Sequence, residues 1–273
     1  MLDEAIADPQ VHAEDDSPGL AYAIVLLGHF GEAAAHERFL ALARLPEELI
    51  EALLGDMVSE TMPIVLWRTA HGRFDGIRAL LSDQSVYGFM RWGAARILAY
   101  AAAMGEISRE ETLAFLDPQL SDDPDDEIAN SGIALAILGL QPTGYEAHLR
   151  QLWDEDCIDP WSMLEEDIDE ALERSVEESL ALTRETFERH IPLDIHDYLS
   201  HWPGFAEPGD SGVDDLLLDD FTIPLGSDAW YDPLTGGIPG SHPGISRTEK
   251  KKARKQGKAA KKARKKNREK RKK

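Results

Sequence analysis

Apolar residues recur at helical spacing from residue 17 to about residue 154, and this periodicity most restricts the fold. Clusters of Gly, Pro and Asp interrupt it, and the alternating β-branched runs typical of strands are few. The most regular stretch runs from Tyr87 to Met104, where Arg91 and Arg96 are expected to project away from the apolar face. That face holds Met90, Ala94, Ile97 and Ala101. The pattern predicts an all-α protein.

The predicted helices follow one another in pairs. The pairs begin near residues 20, 57, 88 and 127, a spacing of 37, 31 and 39 residues that is typical of two-helix solenoid repeats. Small residues alternate with branched ones in Tyr22 to Gly28 and in Gly132 to Gly139, which favours close approach of two backbones. The sequence thus predicts an α-α superhelix, a helical solenoid, and leaves an irregular helical bundle as the alternative. The helices are expected at Pro18 to near Gly28–Gly31, Ala33 to Arg44, Glu47 to Leu54, Met57 to Ala70, Phe74 to Leu81, Tyr87 to Met104, Arg109 to Phe115, Glu127 to Leu140 and Tyr145 to Trp153.

Polar residues mark several helix starts. Ser17 and Pro18 are suited to an N-cap and a first helical turn. Ser108 and Glu111 form a capping-box pattern, and the acidic run from Asp122 to Asp126 is expected to cap the helix that begins at Glu127.

The remainder of the chain divides by composition. Residues 1–16 are an N-terminal segment, residues 17–205 the helical-repeat domain, residues 206–246 a linker rich in Pro, Gly and Asp, and residues 247–273 a Lys/Arg-rich tail. Within the domain, an acidic helix is predicted from Trp161 to Glu188 and a short one from Ile195 to Trp202. The like charges of the tail are too dense for it to fold alone in water, so we expect it to be disordered.

Charge is segregated between the tail and the rest of the chain. The tail holds 17 of the 29 basic residues and two of the 51 acids, a formal charge of +15, whereas residues 1–246 hold 12 arginines and 49 acids, −37. The acidic body repels phosphate, so any affinity for RNA, DNA or a ribosome is expected to come from the tail, without sequence specificity because the tail has no aromatic residue. The alternative is a tail that serves only as an intramolecular counter-ion. The predicted phosphate contacts are Lys250, Lys251, Lys252, Arg254, Lys255, Lys261, Lys262, Arg264, Lys265 and Lys266.

No residue pattern predicts a catalytic, cofactor or metal site. His190, His196 and His201 are the nearest approach to a metal cluster, but their spacing does not place them on one helical face, so surface histidines are the preferred interpretation. Cys157 stands among acids that should raise the pKa of its thiol and weaken it as a nucleophile. Arg38, Arg91 and Arg96 are expected either to pair with local carboxylates or to anchor an acidic partner. Most of the tryptophans near helices, Trp67, Trp92, Trp153, Trp161 and Trp202, are expected in the core.

Three short sequence segments resemble those of a known bacterial family. They are Leu45 to Asp56, Glu60 to Ile64 and Ile107 to Glu111, and the family is domain of unknown function 1186 (DUF1186). The resemblance covers roughly residues 15 to 205 and implies a HEAT-like helical repeat; it implies no reaction, since the family has none assigned. Many members end in a SecA-type zinc motif, but this chain has no Cys or His beyond His242, so that site is not carried over.

These features together predict a non-enzymatic interaction protein whose body binds a protein partner. An enzyme with a site in the solenoid groove is the alternative. With one cysteine, an acidic N-terminus and no apolar run long enough to cross a bilayer, the expected location is the cytoplasm, without a membrane partner.

Overall fold

A computed structural model describes residues 1–13, 19–192 and 194–200 of the chain. Regular structure in those ranges is entirely helical, with no strand, which confirms the all-α prediction. The α-helices are α1 (Leu2–Ala7), α2 (Pro9–Ala13), α3 (Gly19–His29), α4 (His36–Leu42), α5 (Glu47–Leu54), α6 (Met57–Glu60), α7 (Met62–Ala70), α8 (Asp75–Ser82), α9 (Gly88–Ala103), α10 (Arg109–Leu116), α11 (Glu127–Gly139), α12 (Glu146–Asp154), α13 (Glu165–Glu173), α14 (Val176–Glu188) and α15 (Ile195–Ser200). Short 3₁₀ helices span Ala33–Ala35, Asp117–Gln119 and Pro124–Asp126.

Helix α9 is the centre of the domain. It packs against α7, α8, α10, α11 and α14, and its residues are buried almost all the way round. Other contacts also join successive helix pairs: α3 packs against α7, α4 against α7 and α8, and α11 against α9. The result is the repeat-like all-α domain that the spacing of the helices predicts.

Arg91 lies inside this core, contrary to the expectation that it projects away from the apolar face. Its side chain is 2% exposed and pairs with Asp126, while its Nε donates a hydrogen bond to the Leu81 carbonyl at 3.1 Å. Because α9 is covered by neighbouring helices on almost every side, Arg91 cannot reach solvent. Its charge is accommodated by the ion pair instead.

Glycine permits a close contact between α9 and α11. A Cβ added to Gly132 on α11 would lie 2.3 Å from Cγ and 2.7 Å from Cα of Trp92 on α9. Such distances are far inside van der Waals contact, so no larger residue fits without moving the two backbones apart. The predicted close approach in the Gly132 to Gly139 segment is confirmed.

Two helices predicted as continuous are broken. The segment Trp161 to Glu188 contains α13 and α14, because Arg174 has extended backbone with ψ 146° and Ser175 caps α14 by accepting from the Glu178 amide at 3.2 Å. The Glu178 carboxylate in turn accepts from the Ser175 amide at 2.8 Å, a capping box that the sequence analysis missed. Likewise, Met57 to Ala70 divides at Thr61 into α6 and α7.

The acidic run before α11 works differently from the prediction. Asp123 accepts from the Asp125 amide at 2.9 Å and so caps the 3₁₀ turn that leads into α11. Asp126, the residue next to α11, makes no capping bond because its carboxylate binds Arg91. At α10 half of the predicted capping box is present: Ser108 Oγ accepts from the Glu111 amide at 3.2 Å, but among the described residues the Ser108 amide makes no reciprocal bond to the Glu111 carboxylate.

The N-terminal residues contain two helices that the sequence analysis did not predict. Leu2 and Ala5 of α1 are buried, and α1 packs against α4. Arg38 on α4 donates to the Asp3 carboxylate at 2.7 Å, which is one of the two roles expected for that arginine. This region is thus part of the helical body.

Several predictions concern residues outside the described ranges. They are the Ser17–Pro18 cap, His201, Trp202, the 206–246 linker and the 247–273 tail. Among the described residues, no helix combines the length and apolar character required to cross a membrane.

Candidate functional site

A cavity of about 280 Å³ lies between α3, the α6–α7 region and the segment that joins α14 to α15. Its apolar wall is formed by Val25, Ile64, Val65, Pro192 and Ile195. Its polar lining includes His29, Glu60, Arg68, Arg189, His190 and Tyr198. The volume is just below the range of about 300–1,000 Å³ typical of small-molecule sites.

Glycine sets the spacing of the helices beside this cavity. A Cβ at Gly28 on α3 would lie 2.5 Å from Cγ2 of Val65 on α7, so the two helices are in backbone contact there. This confirms the close approach predicted for Tyr22 to Gly28. His29, the residue after Gly28, and Arg68, about one turn after Val65, both reach the cavity.

The basic residues of the cavity stand at the C-terminal ends of three helices. His29 ends α3, Arg68 is in the last turn of α7, and Arg189 is the C-cap of α14. Helix C-termini carry partial negative charge, which favours cations at these positions. Arg68 Nη1 also donates to the His29 carbonyl at 3.4 Å, so the ends of α3 and α7 are linked across the cavity wall.

Two polar groups of the cavity are unusual. Partial desolvation, and secondarily the nearby Asp56 carboxylate, raise the pKa of Glu60, so this acid is more readily protonated than an isolated glutamate although much of the residue is exposed. His29 Nδ1 is buried without a hydrogen-bond partner among the described residues. A buried nitrogen in that state has lost its hydration without compensation, which makes it a point where a ligand oxygen would be stabilising.

An aromatic cluster beside the cavity fixes α14 to the core. The rings of Tyr100 on α9 and Phe187 on α14 stack with centroids 4.1 Å apart, and the Arg96 guanidinium lies 5.2 Å from the centroid of the Phe187 ring. The Tyr100 hydroxyl donates to Glu188 at 3.1 Å. Burial, assisted by that carboxylate, raises the pKa of Tyr100 well above its usual range. The cluster holds the end of α14, and hence Arg189, in place.

Two of the three histidines considered as a metal cluster lie in the described residues, and they have different surroundings. His190 lines the cavity and His196 is exposed on α15. In the described ranges no three His, Cys, Asp or Glu side chains are grouped so that they could hold a metal ion.

The remaining candidate residues have structural roles. Cys157 is buried, and its pKa is raised by burial first and by Glu155 and Asp122 among other nearby acids second, so the predicted direction is confirmed. Trp92 is buried in the core as expected, whereas Trp161 is 84% exposed and is the clear exception to that prediction.

Sequence reasoning missed the cavity itself. His29, Arg68 and Arg189 are far apart in the chain, and each looks like an ordinary helix-ending cation. The one available signal was that basic residues, scarce in this body, recur at helix C-termini.

Comparison with known proteins gives one match. The sequence model of a family described as "Protein of unknown function (DUF1186)" matches residues 2–206. No curated protein and no solved structure matches the chain. The matched region contains all of α1 to α15 and every described residue of the cavity lining, and it ends at residue 206, where the predicted linker begins. The chain therefore belongs to the DUF1186 family.

Proposed function

We propose that the protein is a non-enzymatic interaction protein with two working ends. Its helical body binds a protein partner, and its basic tail contacts the phosphates of RNA or DNA, free or in a ribosome. The observation that carries the proposal is the segregation of charge, −37 in residues 1–246 against +15 in residues 247–273.

The arginines of the body support the assignment of nucleic-acid contact to the tail. Nine of the body's twelve arginines donate hydrogen bonds to carboxylates or carbonyl oxygens of the body itself, and two more lie over aromatic rings. Arginines held in this way are engaged within the body rather than arrayed as a basic surface, apart from Arg68 and Arg189, which line the cavity. Phosphate would meet an acidic body, and every lysine of the chain is in the tail.

The turn before α13 supports a protein partner for the body. Trp161 and Leu164 are 84% and 51% exposed and lie three residues apart in the chain. The turn is fixed, because Asp159 accepts from the Trp161 amide at 3.2 Å and from the Ser162 hydroxyl at 2.8 Å. Exposed tryptophan on a rigid backbone is a common anchor of protein interfaces. Glu165 and Glu166 follow directly, so a partner with an apolar pocket beside basic residues would fit this surface.

Truncation after Ser246 tests the tail. The truncated body should lose binding to RNA and DNA in filter-binding assays, whereas a full-length variant with residues 250–273 shuffled should retain it, since counterion release depends on charge and not on order. If the truncated body bound nucleic acid as well as the intact chain, the assignment of nucleic-acid contact to the tail would be wrong. If the tail is only a counter-ion, it should cross-link to its own body and added RNA should not compete.

Trp161→Ala tests the body. Affinity purification from the native cytoplasm after nuclease treatment should recover one protein partner with the intact chain, and the variant should lose it. Val11→Ala, another exposed apolar residue but on α2, is the matched control and should retain the partner. Recovery of no partner by the intact chain would contradict the proposed role of the body.

A further inference from the structure

The cavity between α3, α7 and the end of α14 is lined by residues other than those of the Trp161 turn. It combines an apolar wall with a polar end, and that combination is typical of sites for small organic ligands. The question is which ligand chemistry its side chains favour.

The charges of the lining favour an anion. Arg68 and Arg189 contribute two guanidinium groups, against one acid among the lining residues that the structure describes, Glu60, whose pKa is raised by desolvation. A concentration of positive charge is unusual in a body that carries −37. A metal cation is disfavoured by the same two arginines.

Hydrogen-bond donors are also available for an anion. Arg68 makes one hydrogen bond among the described residues, a 3.4 Å contact from Nη1, and a guanidinium has five N–H donors. His29 adds its buried Nδ1, for which the described residues provide no acceptor. The preference of helix C-termini for cations accounts for the basic residues but not for this buried nitrogen.

The rest of the wall selects an apolar group. Val25, Ile64, Val65 and Ile195 offer branched aliphatic side chains, and Ile64 and Val65 are buried. A ligand held there would place a short branched or aromatic group against α3 and α7, with its charged end toward the arginines.

We propose that this cavity binds a carboxylate attached to a short apolar group, with Arg68, Arg189 and His29 at the carboxylate. Two sources share this chemistry: a free carboxylic acid, and the C-terminal carboxylate of a peptide that ends in an aliphatic residue. A planar guanidinium binds a carboxylate through two parallel hydrogen bonds, which explains the use of arginine.

Ligand-detected NMR titration of the full chain tests the proposal. The probes are 4-methylpentanoate with its amide as the uncharged control, and a short peptide ending in leucine with a free or an amidated C-terminus. We expect saturable binding of a carboxylate probe and at least about tenfold weaker binding of its amide. Binding of both carboxylates indicates a site for small acids, and binding of the peptide alone indicates a C-terminus.

Matched arginine variants locate the binding. Arg68→Gln should weaken carboxylate binding about tenfold or more, and Arg189→Gln, whose side chain is more exposed and safer for folding, should weaken it in the same direction. Arg150→Gln, which removes an arginine paired with Asp169 away from the cavity, should bind like the wild type. Equal affinity for the acid and its amide would overturn the proposal. Unchanged carboxylate binding in both single variants, Arg68→Gln and Arg189→Gln, would also overturn it, as would the absence of saturable binding of either carboxylate at millimolar concentration.

Discussion

Arg91 and Asp126 form an ion pair across the α9–α11 contact, with Nη1 and Oδ1 2.5 Å apart. The arginine side chain is 2% exposed and the aspartate 21%, so the pair is largely withdrawn from water. Arg91 Nε also donates to the carbonyl of Leu81, near the end of α8. One side chain therefore connects α8, α9 and the residue that precedes α11.

Removing the Asp126 carboxylate should therefore be costly. We expect Asp126→Ala to lower the free energy of unfolding by about 3 kcal/mol, because it leaves the Arg91 charge buried and uncompensated. Asp3→Ala, which breaks an exposed pair with Arg38, should cost less than about 1 kcal/mol. Urea denaturation monitored by circular dichroism measures both, and equal losses would contradict the structural role of the buried pair.

Gly132→Ala should destabilise the protein by more than about 2 kcal/mol, because the new Cβ would overlap Trp92 side-chain and backbone atoms. Gly93 on α9 is the control. Its added Cβ would meet only the Pro63 side chain, with Cγ at 3.1 Å, and the gain in helix propensity of about 1 kcal/mol opposes that contact. Denaturant titration should rank Gly132→Ala as the more damaging change; the reverse order would argue against the close α9–α11 packing.

Stability should fall as pH decreases from about 7 to 5, in part through His36. Burial lowers the pKa of this histidine from 6.5, with Arg73 and His71 acting in the same direction and Glu37 opposing them. The unfolded chain then takes up a proton below about pH 6.5 that the folded chain does not, so acid favours unfolding. His36→Gln should flatten the pH dependence of the urea midpoint, while His196→Gln, at an exposed position, should leave it unchanged.

Cys157 should be almost inert in the native protein. Its thiol is buried and its pKa is raised, so the reactive thiolate is scarce and shielded. Labelling with a chromogenic disulfide reagent should be slow in buffer and become rapid in denaturing urea. Fast labelling of the folded chain would mean that the loop around Cys157 opens readily.

Binding of nucleic acid by the intact chain should weaken steeply with salt. If six to ten tail cations contact phosphate, affinity should fall by about three to five powers of ten between roughly 50 and 200 mM salt. A filter-binding series across salt concentrations measures the slope, with the shuffled tail as control. A shallow slope would show that few tail cations contact phosphate.

Local sequence patterns predicted much of the helical fold. The bounds of α5 were predicted to the residue, those of α9 and α11 to within one residue at each end, and the close-packed glycines were recognised by their small neighbours. The errors arose where one signal masked another. The apolar stripe through Ile168 and Phe187 concealed the capping box at Ser175, and α1 was missed because it depends on packing against α4.

The candidate site was beyond the reach of sequence periodicity. It depends on helix ends that meet only in three dimensions, such as those carrying His29 and Arg189. The position of Arg91 was wrong for a related reason: periodicity predicts one buried face, whereas α9 is covered on every side by partners drawn from the whole domain.

The return of α14 to α9 has a consequence for synthesis. Tyr100 meets Glu188, and Ala103 meets Arg184, across sequence separations of 88 and 81 residues. A growing chain that has not yet reached α14 therefore leaves the Tyr100 face of α9 exposed. Such incomplete chains present apolar surface of the kind that chaperones and proteases bind. Synthesis of α14 therefore covers this surface before the basic tail has been translated.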